Sequence, residues 1–327
     1  MPEKTQPVIA VDIGGTKIIT ALFSADGKMR AKDIRSTLAE EGVDSVVERF
    51  CDAIKELLKA NNISMSQLSA ISIACAGGID TGKGIVVTPS PHLPGWAGLP
   101  FAKIVKEKTG VATYIINDAS AAALGEQRYG VGKGTNNLVL LTLGTGIGGG
   151  IIINGKLYLG ARGGAGELGH TTVEAHGTQC GCGNTGCLEM YASGTAVARD
   201  AIERIRRGDK SSLIKMAAGN IDKITAEMVG EAAQNGDKLA QDVIAQSAYY
   251  LGVGLVNIVN IFNPEMVVIG GGMAALGEMI IAPGRKMVAE RAFSINAQSV
   301  RIVIGRLGNE AGVYGAAAFA FETRRTK

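Results

Sequence analysis

The sequence is poor in the features that mark several classes of protein. Only 19% of its 327 residues are charged and the net charge is +3, so we expect no basic surface for nucleic acid and no membrane-binding surface. The first residues, MPEKTQP, lack a basic start followed by an apolar run, which argues against a secretory signal peptide. We therefore expect a soluble, cytoplasmic protein with neither nucleic acid nor membrane as a partner.

Long apolar runs are also lacking. One long stretch without a charge, residues 134–155, contains seven glycines, whereas a spanning helix needs about 20 mostly apolar residues. We interpret it as two strands joined by a glycine turn. Glycine itself is abundant, with 46 residues, and no Gly-X-Y period is present to indicate collagen. These glycines are expected in tight turns and where the backbone approaches a ligand.

Apolar runs typical of strands alternate with stretches typical of helices, which predicts an α/β fold. A strand over residues 8–13 meets a Gly/Thr turn and a second strand follows. The same order recurs over residues 138–153, which indicates a weak internal duplication with a similar hairpin in each half. Helices are also expected over residues 237–262, 273–281 and 309–323.

Three glycine-rich turns follow predicted strands, where backbone N–H groups can approach an anion without a Cβ in the way. Each turn alone can be purely structural, but three in one chain favour a nucleotide site. In the first, Asp12 adds a strand-end carboxylate able to hold Mg²⁺. Neither the P-loop nor the Rossmann glycine pattern fits. The residues of the three turns are Asp12, Gly14, Gly15, Thr16, Lys17, Gly144, Thr145, Gly146, Gly148, Gly270, Gly271 and Gly272.

Asn117 and Asp118 stand between a predicted strand and an alanine-rich helix. Asp118 in this position can be a helix N-cap. It can also be a catalytic base, with Asn117 beside it to bind a substrate hydroxyl. Kinases of small alcohols need such a carboxylate to orient and deprotonate the hydroxyl.

The strongest local pattern is His170 followed by Cys180, Cys182 and Cys187. Three thiolates and one imidazole provide the four donors of a structural zinc site. His176 is an alternative fourth ligand, because the spacing does not separate the two histidines. A disulfide with one spare thiol fits poorly with the absence of a signal peptide.

Two carboxylates flank this cysteine loop. Glu167 lies three residues before His170, and Glu189 lies two residues after Cys187. A zinc loop would hold both in a fixed place, where carboxylates accept hydrogen bonds from sugar hydroxyls. The alternative for each is a solvated surface charge.

Taken together, these motifs resemble the ROK family of repressors and sugar kinases, within the actin–hexokinase–Hsp70 superfamily. The resemblance covers essentially the whole chain. Residues 92–96 also resemble an Asn-Leu-Pro-x-Trp segment frequent in bacterial glucokinases of this family, with His92 where Asn is common. The motifs are Asp12–Lys17, Asn117–Asp118, Leu143–Gly150, Gly166–His170, Cys180–Glu189 and Gly270–Gly272.

The resemblance implies an actin-like ATPase fold of two α/β domains around a cleft, with residues 1–118 plus 308–327 as a smaller domain and 119–307 as a larger one. It implies that Asp118 is the catalytic base and that His170 binds zinc with one ring nitrogen and sugar with the other. Mg²⁺ with ATP would be held by the three glycine turns and by Asn309. The residues implied to bind sugar are Gly78, Asn117, Asp118, Glu167, His170 and Glu189.

The activity implied is ATP-dependent phosphorylation of glucose at its 6-hydroxyl. Other ROK kinases act on N-acetylmannosamine, N-acetylglucosamine, fructose or allose, and the motifs do not separate these substrates or exclude polyphosphate as donor. A repressor of this family would carry a DNA-binding segment before the first hairpin, and the start of that hairpin at Val8 argues against this class. A catalytically dead sugar sensor would not need Asp118, so the presence of Asp118 argues against that class. The family also suggests a homodimer or homotetramer.

Overall fold

The strands and helices alternate along the chain as an α/β fold requires. The computed structural model describes residues 6–90 and 93–325, so His92 lies outside the described residues. The strands are β1 (Val8–Ile13), β2 (Lys17–Phe23), β3 (Met29–Ser36), β4 (Ala70–Cys75), β5 (Gly77–Asp80), β6 (Ile85–Pro89), β7 (Thr113–Asn117), β8 (Leu138–Leu143), β9 (Ile147–Ile153), β10 (Lys156–Leu157), β11 (Met266–Gly270) and β12 (Arg301–Ile304). The helices are α1 (Val43–Ala60), α2 (Phe101–Thr109), α3 (Asp118–Arg128), α4 (Glu189–Ala192), α5 (Gly194–Arg206), α6 (Leu213–Met216), α7 (Ala226–Gln234), α8 (Lys238–Phe262), α9 (Glu278–Arg291), α10 (Ser294–Ser299) and α11 (Ala311–Arg325).

Two predicted helices differ from the observed ones because of glycine. The helix expected over residues 273–281 is wrong as one element: a 3₁₀ turn, Gly272–Leu276, ends at Gly277, whose φ of 58° breaks the helix before α9 begins. Likewise, a 3₁₀ turn, Gly308–Glu310, precedes α11. The long helix is confirmed as α8, which Asp237 caps by accepting a hydrogen bond from the N–H of Ala240.

The first sheet has the order β3-β2-β1-β4-β7. Strand β1 is buried on both faces, as an almost continuous apolar run predicts, and it pairs antiparallel with β2 and parallel with β4. Strand β7 also runs parallel to β4, with Cys75 opposite both Ile13 and Asn117. The carboxyl ends of β1, β4 and β7 therefore lie side by side at one edge.

The second sheet repeats this plan with the order β10-β9-β8-β11-β12. Number the five strands of each sheet in chain order: in both sheets the third strand lies at one edge, next to the second and then the first. The fourth and fifth strands follow on the other side of the first. Strands β8, β11 and β12 are parallel, as β1, β4 and β7 are. The predicted duplication of a strand–turn–strand unit is confirmed by these two sheet orders.

The chain forms two compact units, whose boundaries differ from the predicted domains. The first comprises residues 1–134, 150–166 and 307–327, and the second comprises residues 135–149 and 167–306. Helix α3 belongs to the first unit because it packs against α11, so the division does not fall at residue 118, and the first unit is the larger. Sequence reasoning missed this because the contact joins distant parts of the chain.

The packing of α3 against α11 depends on glycine. A Cβ at Gly315 would overlap the carbonyl group of Ala121, and one at Gly125 would overlap the carbonyl oxygen of Ala311. The two backbones therefore approach more closely than any side chain would allow. This approach orients the helix that begins with Asp118.

Helix α8 is the one helix within the described ranges that has the length and hydropathy of a membrane span. It packs against α9, α7 and α5 of the second unit, and half of its most apolar window is buried there. Leu239, Val243, Leu251 and Leu255 face this core, as the helical spacing predicts. Helix α8 is accordingly a core helix of the second unit.

We predict that Gly315→Ala destabilises the protein by about 1–3 kcal/mol, because the added methyl group forces α11 away from α3. Thermal unfolding followed by circular dichroism measures the effect. Gly164→Ala is the matched control, since that glycine is exposed, has no positive φ and has open space around its Cβ position. Equal melting temperatures for the two variants would contradict the packing described.

Candidate active site

Asp12 and Asp118 lie at the same edge of the first sheet, at the ends of β1 and β7 with β4 between them. Burial, and then the negative charge of Asp118, raise the pKa of Asp12 to about 7, against the opposing effect of Lys17. Two carboxylates in this arrangement repel each other, and a divalent cation would relieve the repulsion. Asp12 therefore has the environment of a cation-binding carboxylate.

Asn117 is the N-cap of α3, which answers the question raised by the sequence. Its Oδ1 accepts a hydrogen bond from the N–H of Ser120 at 3.0 Å. Its Nδ2 donates to the carbonyl oxygen of Gly77 at 3.1 Å and to Oδ1 of Asp118 at 3.0 Å. Asp118 is thus the first residue of the helix rather than its cap, and its Oδ1 also accepts from the N–H of Ala119 at 2.8 Å.

This network holds the Asp118 carboxylate in one orientation. An amide N–H and a helix N-terminus are favourable hydrogen-bond donors for a carboxylate oxygen. Both Nδ2 hydrogens of Asn117 are directed at protein acceptors, so Asn117 acts on Asp118 and on the Gly77 strand at once. Asp118 has the fixed geometry that a general base requires.

The turn between β1 and β2 is closed by its own backbone. The N–H of Gly14 donates to the carbonyl oxygen of Lys17 at 3.0 Å, and the Gly14 carbonyl accepts from Oγ1 of Thr37 at 2.6 Å. Gly15 and Thr16 are exposed at its tip. Thr37, which is fully buried, supports this turn and was not found from the sequence.

Gly78 lies on the small β5–β6 hairpin of the first unit. Its N–H donates to Oγ1 of Thr88 at 3.0 Å, and a Cβ at position 78 would overlap that oxygen. The neighbouring Gly77, with φ 110°, is the residue whose carbonyl Asn117 binds. The hairpin is therefore linked to the helix that carries Asp118.

Asn309 lies exposed in the 3₁₀ turn before α11, also in the first unit. Close to it in the chain, Gly312 is a residue that sequence reasoning missed. A Cβ there would overlap the carboxylate of Asp12. Glycine at this position lets α11 pass directly over Asp12. The reason for a glycine here becomes visible only once β1 and α11 are seen in contact.

In the second unit, α5 holds the turn after β8 by hydrogen bonds. The N–H of Gly194 donates to the carbonyl oxygen of Gly144 at 2.7 Å, and Oγ1 of Thr195 donates to that of Thr145 at 2.7 Å. The carbonyl oxygens of Gly144 and Thr145 therefore already accept hydrogen bonds from α5. Such a turn is suited to binding an anion through its backbone N–H groups.

Glu189 is tied to this same turn. Its Oε2 accepts from the N–H of Ile147 at 2.8 Å, and a Cβ at Gly146 would overlap the carboxylate. Glu189 begins α4 two residues after Cys187, so one carboxylate connects the cysteine loop to the glycine turn. The alternative of a solvated surface charge is excluded for this residue.

A cavity of about 1100 Å³ opens beside the glycine turn, within the second unit. It brings Gly144 and Thr145 together with Gly272, so two of the three predicted turns share one site. Gly271, with φ 82°, packs against the backbone of Leu143, where a Cβ would overlap. Five further residues that line the cavity were not predicted from the sequence. They lie on α5, on α7 and in the turn before α7: Thr195, Arg199, Ile224, Glu227 and Glu231.

The four predicted metal ligands form one cluster. The ligand atoms of His170, Cys180, Cys182 and Cys187 all lie within 4.8 Å of one another. His170 Nδ1 is 3.7 Å from the Sγ of Cys180, and the Sγ atoms of Cys182 and Cys187 are 3.7 Å apart. His170, rather than His176, is the histidine that joins the cysteines.

These spacings fit a tetrahedral zinc ion. Bonds of about 2.3 Å to sulfur and 2.0–2.1 Å to nitrogen place neighbouring ligands about 3.6–3.8 Å apart in a tetrahedron. Burial raises the pKa of Cys187 to about 12, so this thiol needs a cation beside it to become a ligand. The donor set is complete with four protein atoms.

The fold of the loop brings the cysteines to the histidine. Gly183 and Gly186 have φ values of 93° and 73°, and a Cβ at Gly186 would overlap the carbonyl group of Glu174. Asn184 donates from Nδ2 to the carbonyl oxygen of His170 at 3.3 Å and to Sγ of Cys187 at 3.4 Å. Such an outer hydrogen bond to a ligand sulfur is common in metal sites.

Glu167 and His170 lie on either end of a short 3₁₀ turn, in which the N–H of His170 donates to the carbonyl oxygen of Glu167 at 3.1 Å. Gly169 packs on the backbone of Ile147, the residue that Glu189 holds. The second unit thus brings together Glu167, His170 and Glu189 around one strand end. Asp118, Asn117 and Gly78 are grouped in the first unit.

Comparison with known proteins agrees with these observations. The model of the ROK family matches residues 8–323. The glucokinase of Thermotoga maritima is 37% identical over 315 residues, covering 96% of this chain and 97% of that protein. The xylose repressor of Caldicellulosiruptor bescii is 32% identical over 311 residues, covering 95% of this chain and 77% of the repressor.

Solved structures share the fold. A ROK family glucokinase from Streptomyces griseus, in complex with glucose and AMPPNP, has a TM-score of 0.83 and 34% identity, covering 97% of this chain and 99% of that one. A ROK hexokinase from Thermus thermophilus has a TM-score of 0.82 and 32% identity, covering 98% and 100%. The predicted actin-like sugar kinase fold is confirmed.

We predict that Asp12→Asn raises the melting temperature at pH 8 by a few degrees in the absence of divalent cations. In the folded protein the pKa of Asp12 is about 7, whereas the same carboxyl in the unfolded chain has its ordinary pKa of 3.8. The free energy of unfolding therefore falls as pH rises through this window, and asparagine removes that loss.

The measurement is thermal unfolding at pH 4 and pH 8, with a gain expected only at the higher pH. Asp26→Asn is the control, because hydrogen bonds from Ser24 hold the pKa of that exposed carboxyl near 2 and no gain at pH 8 is expected. A gain for Asp12→Asn that is equal at both pH values would contradict the raised pKa.

Proposed function

The chain belongs to the ROK family, and from this premise we propose that it phosphorylates glucose at the 6-hydroxyl with ATP as donor, giving glucose 6-phosphate. The observation that carries the proposal is the Asp118 carboxylate, oriented by Asn117 and the start of α3 at the sheet edge where Asp12 can hold a cation. Relatives named glucokinase, 34–37% identical over nearly the full chain, support it.

In this proposal the three predicted glycine turns bind the nucleotide. The cavity beside α5 and α7 takes the adenosine, and the turns at Gly144–Gly146 and at residues 14–17 bind phosphates through backbone N–H groups. Gly148, Gly271, Gly272 and Asn309 complete the site. Mg²⁺ bound with ATP would neutralise charge on the phosphates, and Asp12 is the side chain placed to hold it, directly or through water.

In the same proposal, side chains bind the hydroxyl groups of the sugar. Asp118 accepts the proton of the 6-hydroxyl as it attacks the γ-phosphorus, and Asn117 keeps the base in line. Glu167, His170 and Glu189 bind other hydroxyls, together with the backbone of Gly78.

The His170, Cys180, Cys182 and Cys187 cluster is proposed as a structural zinc site. Four protein ligands leave no position open for substrate, which is typical of a structural rather than a catalytic ion. With Nδ1 of His170 facing the cysteines, its Nε2 is proposed to bind a sugar hydroxyl. Zinc then holds the sugar-binding side chains without entering the reaction.

The proposal extends to the cell and the assembly. A cytoplasmic enzyme matches the substrates, ATP and a free hexose, and the family suggests a homodimer or homotetramer. Sugar preference is tested by measuring kcat/KM for glucose beside N-acetylmannosamine, N-acetylglucosamine, fructose and allose, with ATP and then polyphosphate as donor. Glucose with ATP is expected to give the highest value, and a clear preference for another hexose would overturn the glucose assignment.

We predict that Asp118→Asn lowers kcat for glucose by about 10²–10⁴-fold while glucose still binds. The amide oxygen can still accept the hydrogen bonds from Ala119 and Asn117, but it cannot take the proton. Coupled-enzyme kinetics and calorimetric titration of glucose measure the two effects. Asp33→Asn, on β3 and paired with Arg35, is the control. A variant that keeps more than about a tenth of kcat would remove Asp118 from the role of base.

We predict that Cys182→Ser lowers the zinc content and raises the KM for glucose by about tenfold or more, as loss of support around a metal site does. The KM for ATP should change little, because α5 holds the Gly144 turn independently of the loop. Native mass spectrometry and steady-state kinetics are the measurements, with Cys51→Ser, outside the cluster, as control. Full wild-type activity without bound metal, or a defect confined to ATP, would refute the structural role.

A further inference from the structure

Helix α4, Glu189–Ala192, is a single turn that its own hydrogen bonds cannot hold, and side chains tie it to its neighbours. Its first residue, Glu189, accepts a hydrogen bond from the N–H of Ile147 at the glycine turn. The hydroxyl oxygen of Tyr191 accepts another from the N–H of Thr178 in the cysteine loop at 2.7 Å. Helix α4 therefore lies where the cysteine loop meets the glycine turn.

A third bond ties α4 to α5. The carbonyl oxygen of Met190 accepts a hydrogen bond from Nη2 of Arg199 at 2.6 Å. The N–H that would continue the helix, that of Gly194, donates to the carbonyl oxygen of Gly144 instead. The guanidinium of Arg199 thus supplies a partner for a carbonyl group that the end of the helix leaves without one.

Arg199 borders two cavities of the second unit. One is the cavity of about 1100 Å³ beside the glycine turn. The other, of about 200 Å³, is also lined by Thr178, Tyr191 and Ser247. A side chain next to open space is held less by packing than one in the core. The charge-assisted bond to Met190 is therefore the contact that fixes the direction of the guanidinium.

The bond to Met190 acts on the two residues that flank it. Glu189 precedes it and Tyr191 follows it, so a shift of the Met190 backbone would move both side chains. Tyr191 has further support, because its ring is stacked on that of Tyr250 with centroids 4.3 Å apart. Glu189 is held by one hydrogen bond to the glycine turn, and it is the more sensitive of the two to such a shift.

We propose that Arg199 is a positioning residue for the sugar site: by bonding to Met190 it holds α4 so that Glu189 stays on the glycine turn and remains placed to bind a sugar hydroxyl. The inference rests on the proposed function, in which Glu189 binds sugar. It assigns to glucose affinity a residue whose place in the wall of the larger cavity alone would suggest an effect on ATP.

The test compares Arg199→Met with the wild-type protein, because methionine keeps an apolar stem and removes every donor. The KM for glucose, and its Kd from calorimetry without nucleotide, should rise about fivefold or more, as expected when a carbonyl group loses a charged partner, while the KM for ATP changes less than about twofold. Hydrogen exchange should rise about fivefold or more in peptides covering residues 144–148 and 189–193, and stay unchanged in α8.

Arg206→Met is the matched control. Arg206 lies on the same helix and lines the same larger cavity, but its guanidinium pairs with Asp222 rather than with α4. This variant removes the same charge from the same cavity, so an effect of lost charge on ATP would appear in both variants. Its KM for glucose and its exchange at residues 189–193 should match those of the wild-type protein.

Two further substitutions at the same position complete the test. Arg199→Lys keeps the charge and a donor, and it should restore part of the glucose affinity and of the exchange protection that Arg199→Met loses. Should Arg199→Met fail to fold, Arg199→Gln takes its place, because the glutamine side chain is polar but shorter. The same changes in glucose KM and in exchange are expected of it.

A merely structural role would lower the melting temperature and affect glucose and ATP alike. A direct contact of Arg199 with the nucleotide would raise the KM for ATP and leave that for glucose unchanged. Either result, or wild-type exchange at residues 144–148 in the folded variant, overturns the proposal. A wild-type protein that fails to phosphorylate glucose would instead refute the proposed function, because exchange without substrate needs no turnover.

Discussion

The close approach of α3 and α11 is the contact on which the first unit depends. Gly125 and Gly315 allow the two backbones to touch, and Gly312 lets α11 pass over the Asp12 carboxylate. The same pair of helices orients Asp118 at one end and holds Leu307 through Glu126 at the other. A helix from the end of the chain therefore decides where the candidate base, the candidate cation ligand and the backbone at Leu307 are held.

Ionising both Asp12 and Asp118 costs electrostatic free energy, which a bound cation would offset. Asp12 and Asp118 raise each other's energy when both are ionised, and burial makes the effect larger at Asp12. Asn117 and the N-terminus of α3 supply hydrogen bonds to Asp118, whereas burial and the neighbouring negative charge raise the pKa of Asp12 to about 7. This difference between two neighbouring carboxylates suits one to be a base and the other a ligand, as paired catalytic carboxylates elsewhere do.

Local patterns in the sequence predicted much of this, and contacts between distant residues account for the rest. The two strand–turn–strand units and the cysteine loop were predicted because each is encoded within a few residues. The role of Asn117 as N-cap needed the position of Gly77, and the domain boundary needed the α3–α11 contact between residues far apart in the chain. Glu126 gave no local signal, since a glutamate in a helix is usually a surface charge and only its partners Val131 and Leu307 reveal its burial.

In the second unit, Glu189 joins the cysteine loop to the glycine turn after β8, yet the two need not fail together. The Glu189 carboxylate accepts a hydrogen bond from Ile147 of that turn, whereas hydrogen bonds from Gly194 and Thr195 hold the turn from α5. Removing a metal would free Glu189 and the His170 turn, which serve the sugar in the proposed function, and leave the α5 support in place. In the proposed function, a structural metal in this position would act on sugar affinity, because it would support the loop side of the glycine turn while α5 supports the other side.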